Sequence, residues 1–253
     1  MTQIITVANR RGGVGKTATA HALGAGLSRK GYRVLFIDLD SQCNLTYDIG
    51  ASGELPLSSL DVLEGRATAS EAILSLTGGD IIPASPNLAT ADKLIDGVGK
   101  EYRLKEALVP VVKKYDYIII DTPPALGVLT IDALTASQKV IIPAQAEIHS
   151  LQGIDQLYGT IEAVKHFTNK KLKIEGILIT RYIARSVISR DMKTNLEEVA
   201  REIETKTFSA PIRECSAIKE AQATQTDIYS YAPRSNASKD YEALVDEVLN
   251  NRR

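Results

Sequence analysis

A glycine-rich segment near the start of the sequence has the composition of a phosphate-binding loop. Residues 11–17 read Arg-Gly-Gly-Val-Gly-Lys-Thr and lie between an apolar strand pattern and a helical pattern. Glycines allow backbone N–H groups to approach a phosphate closely, and the helix N-terminus adds positive potential. The Lys16 ammonium is expected to reach the β- and γ-phosphates of a nucleotide, and the Thr17 hydroxyl to bind Mg²⁺. The predicted nucleotide contacts of this segment are Arg11, Gly12, Gly13, Val14, Gly15, Lys16 and Thr17.

The segment departs from the common form of such loops at one position. The first glycine of the pattern G-x-x-x-x-G-K-[ST] is replaced by Arg10. A basic residue just before Gly-Gly marks a known variant of the loop. A chance glycine turn before an amphipathic helix is the alternative, and the Gly-Lys-Thr ending in this context argues against it.

Carboxylates follow two further apolar strand patterns. Arg33–Ile37 leads into Asp38 and Asp40, and Tyr117–Ile120 leads into Asp121. Ligands of open α/β sheets bind at the carboxyl ends of the strands, so we expect these acids near the loop. A carboxylate there can hold Mg²⁺, usually through water, although each Asp alone could also cap a helix. The predicted metal site consists of Thr17, Asp38 and Asp121.

Strand and helix patterns alternate along most of the chain. The expected strands are Ile4–Val7, Arg33–Ile37, Tyr117–Ile120, Val140–Ile142 and Ile174–Ile179. The expected helices are Lys16–Arg29, Leu104–Lys114, Val128–Ser137, Leu151–Phe167, Asp191–Glu204 and Lys239–Leu249. Most strands are apolar throughout, which is typical of strands buried on both faces. This order predicts a doubly wound α/β fold, with a mostly parallel central sheet and helices on both faces. We interpret residues 1–253 as one domain, with residues 49–59 and 77–86 as surface excursions.

Charge and composition exclude several classes of protein. The 30 Lys and Arg residues balance 31 Asp and Glu residues, so bulk charge does not make the chain a nucleic-acid-binding polycation. Cys43 and Cys215 form no C-x-x-C pair, so we expect neither a disulfide scaffold nor a zinc knuckle, in keeping with a reducing cytoplasm. We expect no signal peptide and no transmembrane helix, because no apolar run approaches the ~18 residues that a span needs.

Several blocks together resemble the ParA-type partition ATPases, within the wider ParA/MinD family of P-loop ATPases. The matching blocks are Arg11–Thr17, Asp38–Asn44, Asp121–Pro124, Ile142–Glu147, Ile174–Thr180, and Ile212-Arg213 through Glu220-Ala221. The resemblance covers nearly the whole chain. It implies an ATP-dependent homodimer in which two subunits face each other across two ATP molecules. It also implies slow ATP hydrolysis, a ParB-like centromere-binding activator, non-specific binding of duplex DNA, and a cytoplasmic, nucleoid-associated location in plasmid or chromosome segregation.

The resemblance also implies roles for individual residues. Asp40 would orient or activate the attacking water, with Lys16 and Arg11 completing the catalytic set. Arg11 replaces the family's signature lysine, which reaches across the dimer to the other subunit's phosphates. Arg181 and Pro211 fall near the adenine position. In the family's Asp-Pro-Gln-Gly-Asn pattern, Ser41 and Cys43 replace the proline and the glycine.

A basic segment suggests where DNA binds. Residues 165–193 contain eight basic and two acidic residues, a balance of 8 − 2 = +6 in a chain of net charge −1. Such a patch can neutralise phosphates without reading sequence, although a solvated helix face is the alternative. Arg185 aligns with a family position associated with DNA contact, and Lys219 lies close to another, which is Ala217 here. The predicted DNA-binding residues are Arg185, Arg190, Lys193 and Lys219.

Three other functions are compared with this interpretation. A membrane-associated MinD-like ATPase is disfavoured because residues 239–250 are acidic on the polar face of the expected helix. An iron–sulfur ATPase is disfavoured because the two cysteines do not match a bridging cluster. An ATP-switched protein that positions a cargo other than DNA uses the same engine, and this alternative stays open.

Overall fold

One parallel sheet organises the protein. The structure is a computed structural model that describes residues 2–51, 55–147 and 149–251. The strands are β1 (Gln3–Val7), β2 (Val34–Asp38), β3 (Asp80–Ile82), β4 (Tyr117–Asp121), β5 (Lys139–Gln145) and β6 (Lys173–Thr180). They lie in the order β3-β2-β4-β1-β5-β6, and each of these neighbouring pairs is parallel. The predicted fold class is therefore confirmed. The extent of the domain, 1–253, stays a prediction.

Helices cover both faces of this sheet. They are α1 (Lys16–Arg29), α2 (Asn44–Asp48), α3 (Ser59–Leu63), α4 (Ala69–Ala72), α5 (Ala91–Leu94), α6 (Arg103–Leu108), α7 (Val128–Ala136), α8 (His149–Phe167), α9 (Val187–Glu202), α10 (Ser216–Ala223), α11 (Ile228–Tyr231) and α12 (Asn236–Asn250). One face packs against α1, α2 and α10–α12, and the opposite face packs against α3–α9. No helix in the described ranges is both long and apolar enough to span a membrane.

Strand pairing brings the acidic strand ends together. Asp38 of β2 is paired in register with Asp121 of β4, which is in turn paired with Val7 of β1. Because side chains alternate along a strand, Ile119 packs on the α1 face while Ile118 and Ile120 pack on the other. The strands thus bury both faces and leave their carboxyl ends at one edge, where the loop after β1 also begins.

Three local predictions are wrong. Residues 80–82 of the expected surface excursion form the edge strand β3, which is too short for a clear pattern and follows a Gly-Gly pair. The helix expected over Leu104–Lys114 ends at Leu108, because Pro110 cannot continue it, and a 3₁₀ turn follows at Val112–Lys114. The helix expected from Asp191 begins four residues earlier, at Val187, after the capping residue Ser186.

The basic segment does not form one patch. Lys170 and Lys171 precede β6, whereas Arg181 and Arg185 follow it. The seven steps along β6 at ~3.3 Å per residue separate the two groups by roughly 23 Å. Only the group after β6 lies at the edge where the carboxyl ends of the strands meet. The excess of positive charge counted along the sequence is therefore divided between opposite edges of the sheet.

Candidate nucleotide-binding site

The glycines of the loop after β1 create an open cradle. Gly13 and Gly15 have φ angles of 74° and 88°, in the left-handed region that favours glycine. A Cβ built on Gly12 or Gly13 would meet no protein atom within 4 Å, and both residues line an open cleft. The space that these missing side chains leave is available to a ligand. Gly15 immediately precedes α1, so the cleft also faces a helix N-terminus.

Polar residues at the ends of β5 and β6 hold the loop from below. The amide Nε2 of Gln145 donates a hydrogen bond of 2.6 Å to the Gly13 carbonyl oxygen. The Thr180 hydroxyl donates a 2.8 Å hydrogen bond to the Val14 carbonyl oxygen. Because these carbonyl oxygens are engaged by the sheet, the loop is fixed in the conformation that forms the cradle. Sequence reasoning missed both residues. The signal that it used for Asp121, a polar residue ending an apolar strand, applies equally to them.

Lys16 and Thr17 lie at the point where the loop meets the acidic strand ends. The Lys16 side chain is largely buried, and its ammonium donates a 3.2 Å hydrogen bond to the Arg11 carbonyl oxygen. Burial lowers the pKa of Lys16, and the Asp121 and Asp40 carboxylates oppose that change. The Thr17 hydroxyl donates a 2.6 Å hydrogen bond to Asp121, whose pKa burial raises well above its ordinary value. Three of the predicted site residues are thus brought together.

Asp38 organises the segment that carries Asp40. One oxygen of the buried Asp38 carboxylate accepts a 3.0 Å hydrogen bond from the Asp40 N–H. The other accepts hydrogen bonds from the Thr46 N–H and hydroxyl, at 2.9 and 2.8 Å. Burial raises the pKa of Asp38 to about 6, although these hydrogen bonds oppose the rise. Both oxygens have protein donors, so any contribution of Asp38 to a metal site passes through water and stays a prediction.

Asp40 lines the same cleft as the loop. Its carboxylate accepts a 3.0 Å hydrogen bond from the Gln42 N–H, and Gln42 and Asn44 line the same cleft. Cys43, which stands at the family's glycine position, has a φ angle of 55°. This left-handed conformation gives the family's glycine a physical reason, because a Cβ is disfavoured there. Burial raises the pKa of the Cys43 thiol to about 11, so the thiol is protonated at neutral pH.

The far wall of the cleft comes from the segment before α10, from α10 itself, from Arg181 after β6 and from Tyr241 on α12. The cleft holds about 370 Å³ between this wall and the loop. Arg181 has a φ angle of 51° and forms a 2.8 Å ion pair with Glu214, while Arg213 forms a 2.6 Å ion pair with Asp240. Pro211 lies just before the lining residues, and its contact with a nucleotide stays a prediction. This wall is lined by Arg181, Ile212, Arg213, Glu214, Cys215, Ile218, Lys219, Gln222 and Tyr241.

Known proteins can be aligned with this chain along nearly its whole length. A family model described as an AAA domain matches residues 2–174. The sporulation initiation inhibitor protein Soj of Bacillus subtilis (strain 168) is 40% identical over 255 residues, which cover 99% of this chain and 100% of Soj. The chromosome partitioning protein ParA of Myxococcus xanthus (strain DK1622) is 35% identical, with 98% of this chain and 88% of that protein covered. The chain belongs to the ParA/MinD family of P-loop ATPases.

Solved structures support the same assignment. Cobyrinic acid a,c-diamide synthase from Mycobacterium smegmatis, with bound ADP and magnesium, has a TM-score of 0.87 and 36% identity to this chain. The similarity covers 100% of this chain and 96% of that one. The predicted family and the predicted ATPase activity are therefore confirmed. The ligands of that neighbour are of the kind predicted as cofactors, ATP and Mg²⁺.

Arg11, at the ParA/MinD signature position, is held by its own chain. Its guanidinium forms a 2.7 Å ion pair with Glu147 and contacts the Ser150 hydroxyl at 3.5 Å. Its backbone N–H donates a 2.9 Å hydrogen bond to the side-chain oxygen of Asn9. Arg11 is not among the residues that line the nucleotide cleft of its own subunit. The contact of Arg11 with a nucleotide stays a prediction, and it requires a nucleotide that is bound to a second copy of the chain.

The four predicted DNA-binding residues of this family member lie in three places, the loop after β6, α9 and α10. Arg185 is exposed in the loop after β6, and Arg190 is exposed near the start of α9. Arg190 donates a 3.1 Å hydrogen bond to the Ala184 carbonyl oxygen, and Lys193 forms an ion pair with Glu197. Lys219 lies apart from these three, on α10, where it lines the nucleotide cleft.

Proposed function

We propose that the protein is an ATP-driven partition ATPase. In this proposal it dimerises on ATP–Mg²⁺, binds duplex DNA without sequence preference, and hydrolyses ATP slowly until a ParB-like centromere-binding protein stimulates it. The work would be the segregation of plasmid or chromosomal DNA, with the protein associated with the nucleoid. The observation that carries the proposal is the meeting of Lys16, Thr17 and Asp40 in one cleft, in a chain whose full-length relatives include Soj and ParA.

The residues of the cleft suit a nucleotide with magnesium. Glycine backbone and the Lys16 ammonium are suited to the phosphates, and the Thr17 hydroxyl with Asp121 is suited to the metal. Among the described residues no three His, Cys, Asp or Glu side chains cluster as a metal site. This agrees with Mg²⁺, which keeps several waters and takes few protein ligands beside the phosphates. When bound, the metal neutralises charge on the phosphates.

Asp40 is suited to the hydrolytic step. Its carboxylate faces the same cleft as Lys16 and can hold a water in line with the γ-phosphate, or accept the proton that the water loses. Asp38 fixes the Asp40 backbone by the hydrogen bond described above. Asp38 is therefore a positioning residue in this proposal, and Asp40 the residue that contacts the attacking water.

Dimerisation gives Arg11 its role. The Arg11–Glu147 ion pair is partly exposed, with 29% and 53% of the two side chains accessible. Exposed ion pairs contribute only about 0–1 kcal/mol to the free energy of unfolding. A phosphate of the nucleotide bound by a second subunit can therefore displace Glu147 from Arg11. Arginine can bind such a phosphate with two parallel hydrogen bonds. Glu147 would then keep Arg11 away from its own nucleotide in the monomer.

Arg185 and Arg190 are the residues best suited to DNA. Both are exposed and follow β6, whose last residue, Thr180, lines the nucleotide cleft. Sequence-independent binding needs only phosphate contacts, and two copies in a dimer bind one duplex more strongly through effective concentration. Lys193 supports this surface less, because Glu197 neutralises part of its charge.

A second function, the positioning of a protein cargo, is favoured by one observation. Ile183, Val187 and Ile188 lie beside Arg185 with 51%, 60% and 63% of their surface exposed. Phosphate binding does not require exposed aliphatic side chains, whereas exposed apolar patches often mark sites that bind another protein. A MinD-like attachment through α12 is not supported, because Tyr241, Leu244 and other apolar residues of α12 are buried in the core beside α1.

Fluorescence anisotropy with a labelled duplex of random sequence tests the proposal. We expect binding with ATP or a slowly hydrolysed analogue, little binding with ADP, and an affinity that falls steeply with salt. Arg185→Glu should weaken binding to all sequences at least ~10-fold while ATP affinity is kept. Lys170→Glu, which changes charge equally at the opposite edge of the sheet, is the matched control. Absence of DNA binding at low salt with ATP would refute partition and leave the cargo function.

A further inference from the structure

The nucleotide cleft contains two lysines that form no ion pair within the described residues. Four basic residues line the cleft: Lys16, Arg181, Arg213 and Lys219. Arg181 pairs with Glu214 and Arg213 pairs with Asp240, so both arginines are already neutralised. Within residues 2–51, 55–147 and 149–251, neither Lys16 nor Lys219 forms an ion pair with a carboxylate. Lys16 still interacts with Asp121 and Asp40, whereas Lys219 on the other wall has no ion-pair partner among these residues.

The wall that carries Lys219 is anchored to α2 by a side-chain hydrogen bond. Gln222, one turn further along α10, lines the cleft and donates a 2.7 Å hydrogen bond to the Asp48 carboxylate at the end of α2. Ala221 is buried in the core beneath the same helix. Residues three apart on a helix share a face, so the anchoring of Gln222 also orients Lys219. Since α2 begins four residues after Asp40, the anchor joins this wall to the segment that carries the predicted catalytic carboxylate.

We propose that Lys219 binds the phosphate chain of the nucleotide rather than DNA, and that it closes the cleft from the side opposite Lys16. This inference rests on the proposed function, because it assumes that ATP occupies the cleft. A triphosphate is strongly anionic, and the Lys16 ammonium neutralises only part of its charge. The Lys219 ammonium on the facing wall can bind the remaining negative charge of the phosphates. Lys219 is exposed to solvent where it lines the cleft, so its ammonium is available to a nucleotide bound there.

Titration with fluorescent ATP and ADP in the presence of Mg²⁺, without DNA, tests the inference. Lys219→Ala should weaken the affinity for both nucleotides roughly 10- to 100-fold, the range of one charge-assisted hydrogen bond. Lys219→Arg should restore most of the affinity, because the charge is kept. Lys170→Ala is the matched control, since it removes an exposed lysine at the far edge of the sheet and should bind nucleotide as the parent does.

A DNA-binding arm separates this inference from the proposed function. At saturating ATP, Lys219→Ala should bind duplex DNA as the parent does, because the nucleotide site is then full. Unchanged nucleotide affinity in Lys219→Ala, together with weaker DNA binding, would overturn the inference and return Lys219 to the DNA surface. If the parent protein itself bound no DNA with ATP while Lys219→Ala lost nucleotide affinity, partition would fail and the inference would stand. Circular dichroism and melting of each variant confirm that losses are not due to misfolding, and Lys219→Gln serves as a second neutral variant.

Discussion

The loop wall of the cleft is held by hydrogen bonds to its backbone carbonyl oxygens, whereas the α10 wall is held mainly by ion pairs between side chains. Gln145 and Thr180 fix the loop through its carbonyl oxygens, so the loop residues themselves need only be small. The α10 wall depends on Arg181–Glu214 and Arg213–Asp240. Backbone fixation is rigid, because each bond engages an atom with no rotamers of its own. Ion pairs between long side chains can open at lower cost.

This contrast assigns the two walls different tasks. The rigid loop wall is preorganised for the phosphates, as catalysis by positioning requires. The α10 wall can adjust to the presence of nucleotide, because the side-chain ion pairs that hold it can open at low cost. Changes in the loop wall should therefore affect binding and chemistry directly, while changes in the α10 wall should first affect stability and affinity.

The largest expected effect comes from the loop wall. Lys16→Ala should weaken ATP binding by at least ~100-fold, because it removes the buried ammonium that faces the phosphates. Isothermal titration with ATP–Mg²⁺ measures the loss, and Lys170→Ala is again the control for a lost positive charge. An affinity within threefold of the parent would show that the loop is not the phosphate site.

Asp40→Ala should separate chemistry from binding. We expect ATP turnover to fall ~10²- to 10⁴-fold, the range for loss of a general base, with ATP affinity changed only a few-fold. Steady-state phosphate release and nucleotide titration on the same variant give both numbers. Ser41→Ala, a change in the next residue, should leave turnover near the parent value. Equal losses of turnover and affinity in Asp40→Ala would make Asp40 a structural residue.

Asp132, which lies outside both walls of the cleft, shows how the burial of a carboxylate affects the stability of the fold. It lies on α7, across the sheet from α1 and α10, where it accepts a 3.0 Å hydrogen bond from the Leu104 N–H. Burial raises the pKa of Asp132 to about 7, compared with about 6 for Asp38, which has three donors. Because the pKa is raised in the folded state, the contribution of Asp132 to the free energy of unfolding is fully present only at low pH. It is lost as the pH rises from about 4, the unfolded pKa, through 7.

The corresponding variant is Asp132→Asn, which keeps an oxygen acceptor for the Leu104 N–H and removes the ionisable group. It should match the parent at about pH 3.5 and be more stable at pH 8, by up to ~4 kcal/mol, since each pKa unit corresponds to about 1.4 kcal/mol. Urea unfolding at both pH values measures the difference, and ATP affinity should be unchanged. A variant that is less stable at both pH values would contradict a neutral, buried Asp132.

The smallest expected effect concerns the α10 wall. Asp240→Ala should lower the free energy of unfolding by ~1–3 kcal/mol, because the nearly buried carboxylate accepts hydrogen bonds from the Arg213 backbone and guanidinium. Glu214→Ala removes the partner of the more exposed pair and should cost less than ~1 kcal/mol. Equal losses in the two variants would indicate that both ion pairs contribute alike and that the Arg213 pair does not anchor the wall.

The sequence predicts the loop wall far better than the α10 wall. Gly12–Thr17 is a continuous motif because backbone geometry and phosphate chemistry constrain neighbouring residues together. Arg213 and Asp240 lie 27 residues apart, and Arg181 and Glu214 lie 33 apart, so no local pattern reports their pairing. The same reason explains Lys219, whose sequence neighbourhood suggests DNA contact and whose position in the fold faces the nucleotide cleft.

A sum of charges along the sequence likewise fails to predict which charges lie together in the fold. The +6 balance over residues 165–193 is a sum along one strand and its flanks, and β6 divides it between two edges of the sheet. The parallel sheet itself was predictable, because strands buried on both faces have a continuous apolar pattern. The three-residue edge strand β3 was not, because its pairing with β2 depends on contacts that lie far apart in sequence.

Light scattering of Asp40→Ala with saturating ATP and Mg²⁺ tests the central claim, an ATP-driven dimer of P-loop subunits, most directly. Without hydrolysis the ATP state accumulates, so we expect a mass near twice the 27.4 kDa of the chain with ATP. With ADP the mass should stay near 27.4 kDa. A mass of one chain at saturating ATP, in a variant shown by titration to bind ATP, would contradict the dimer.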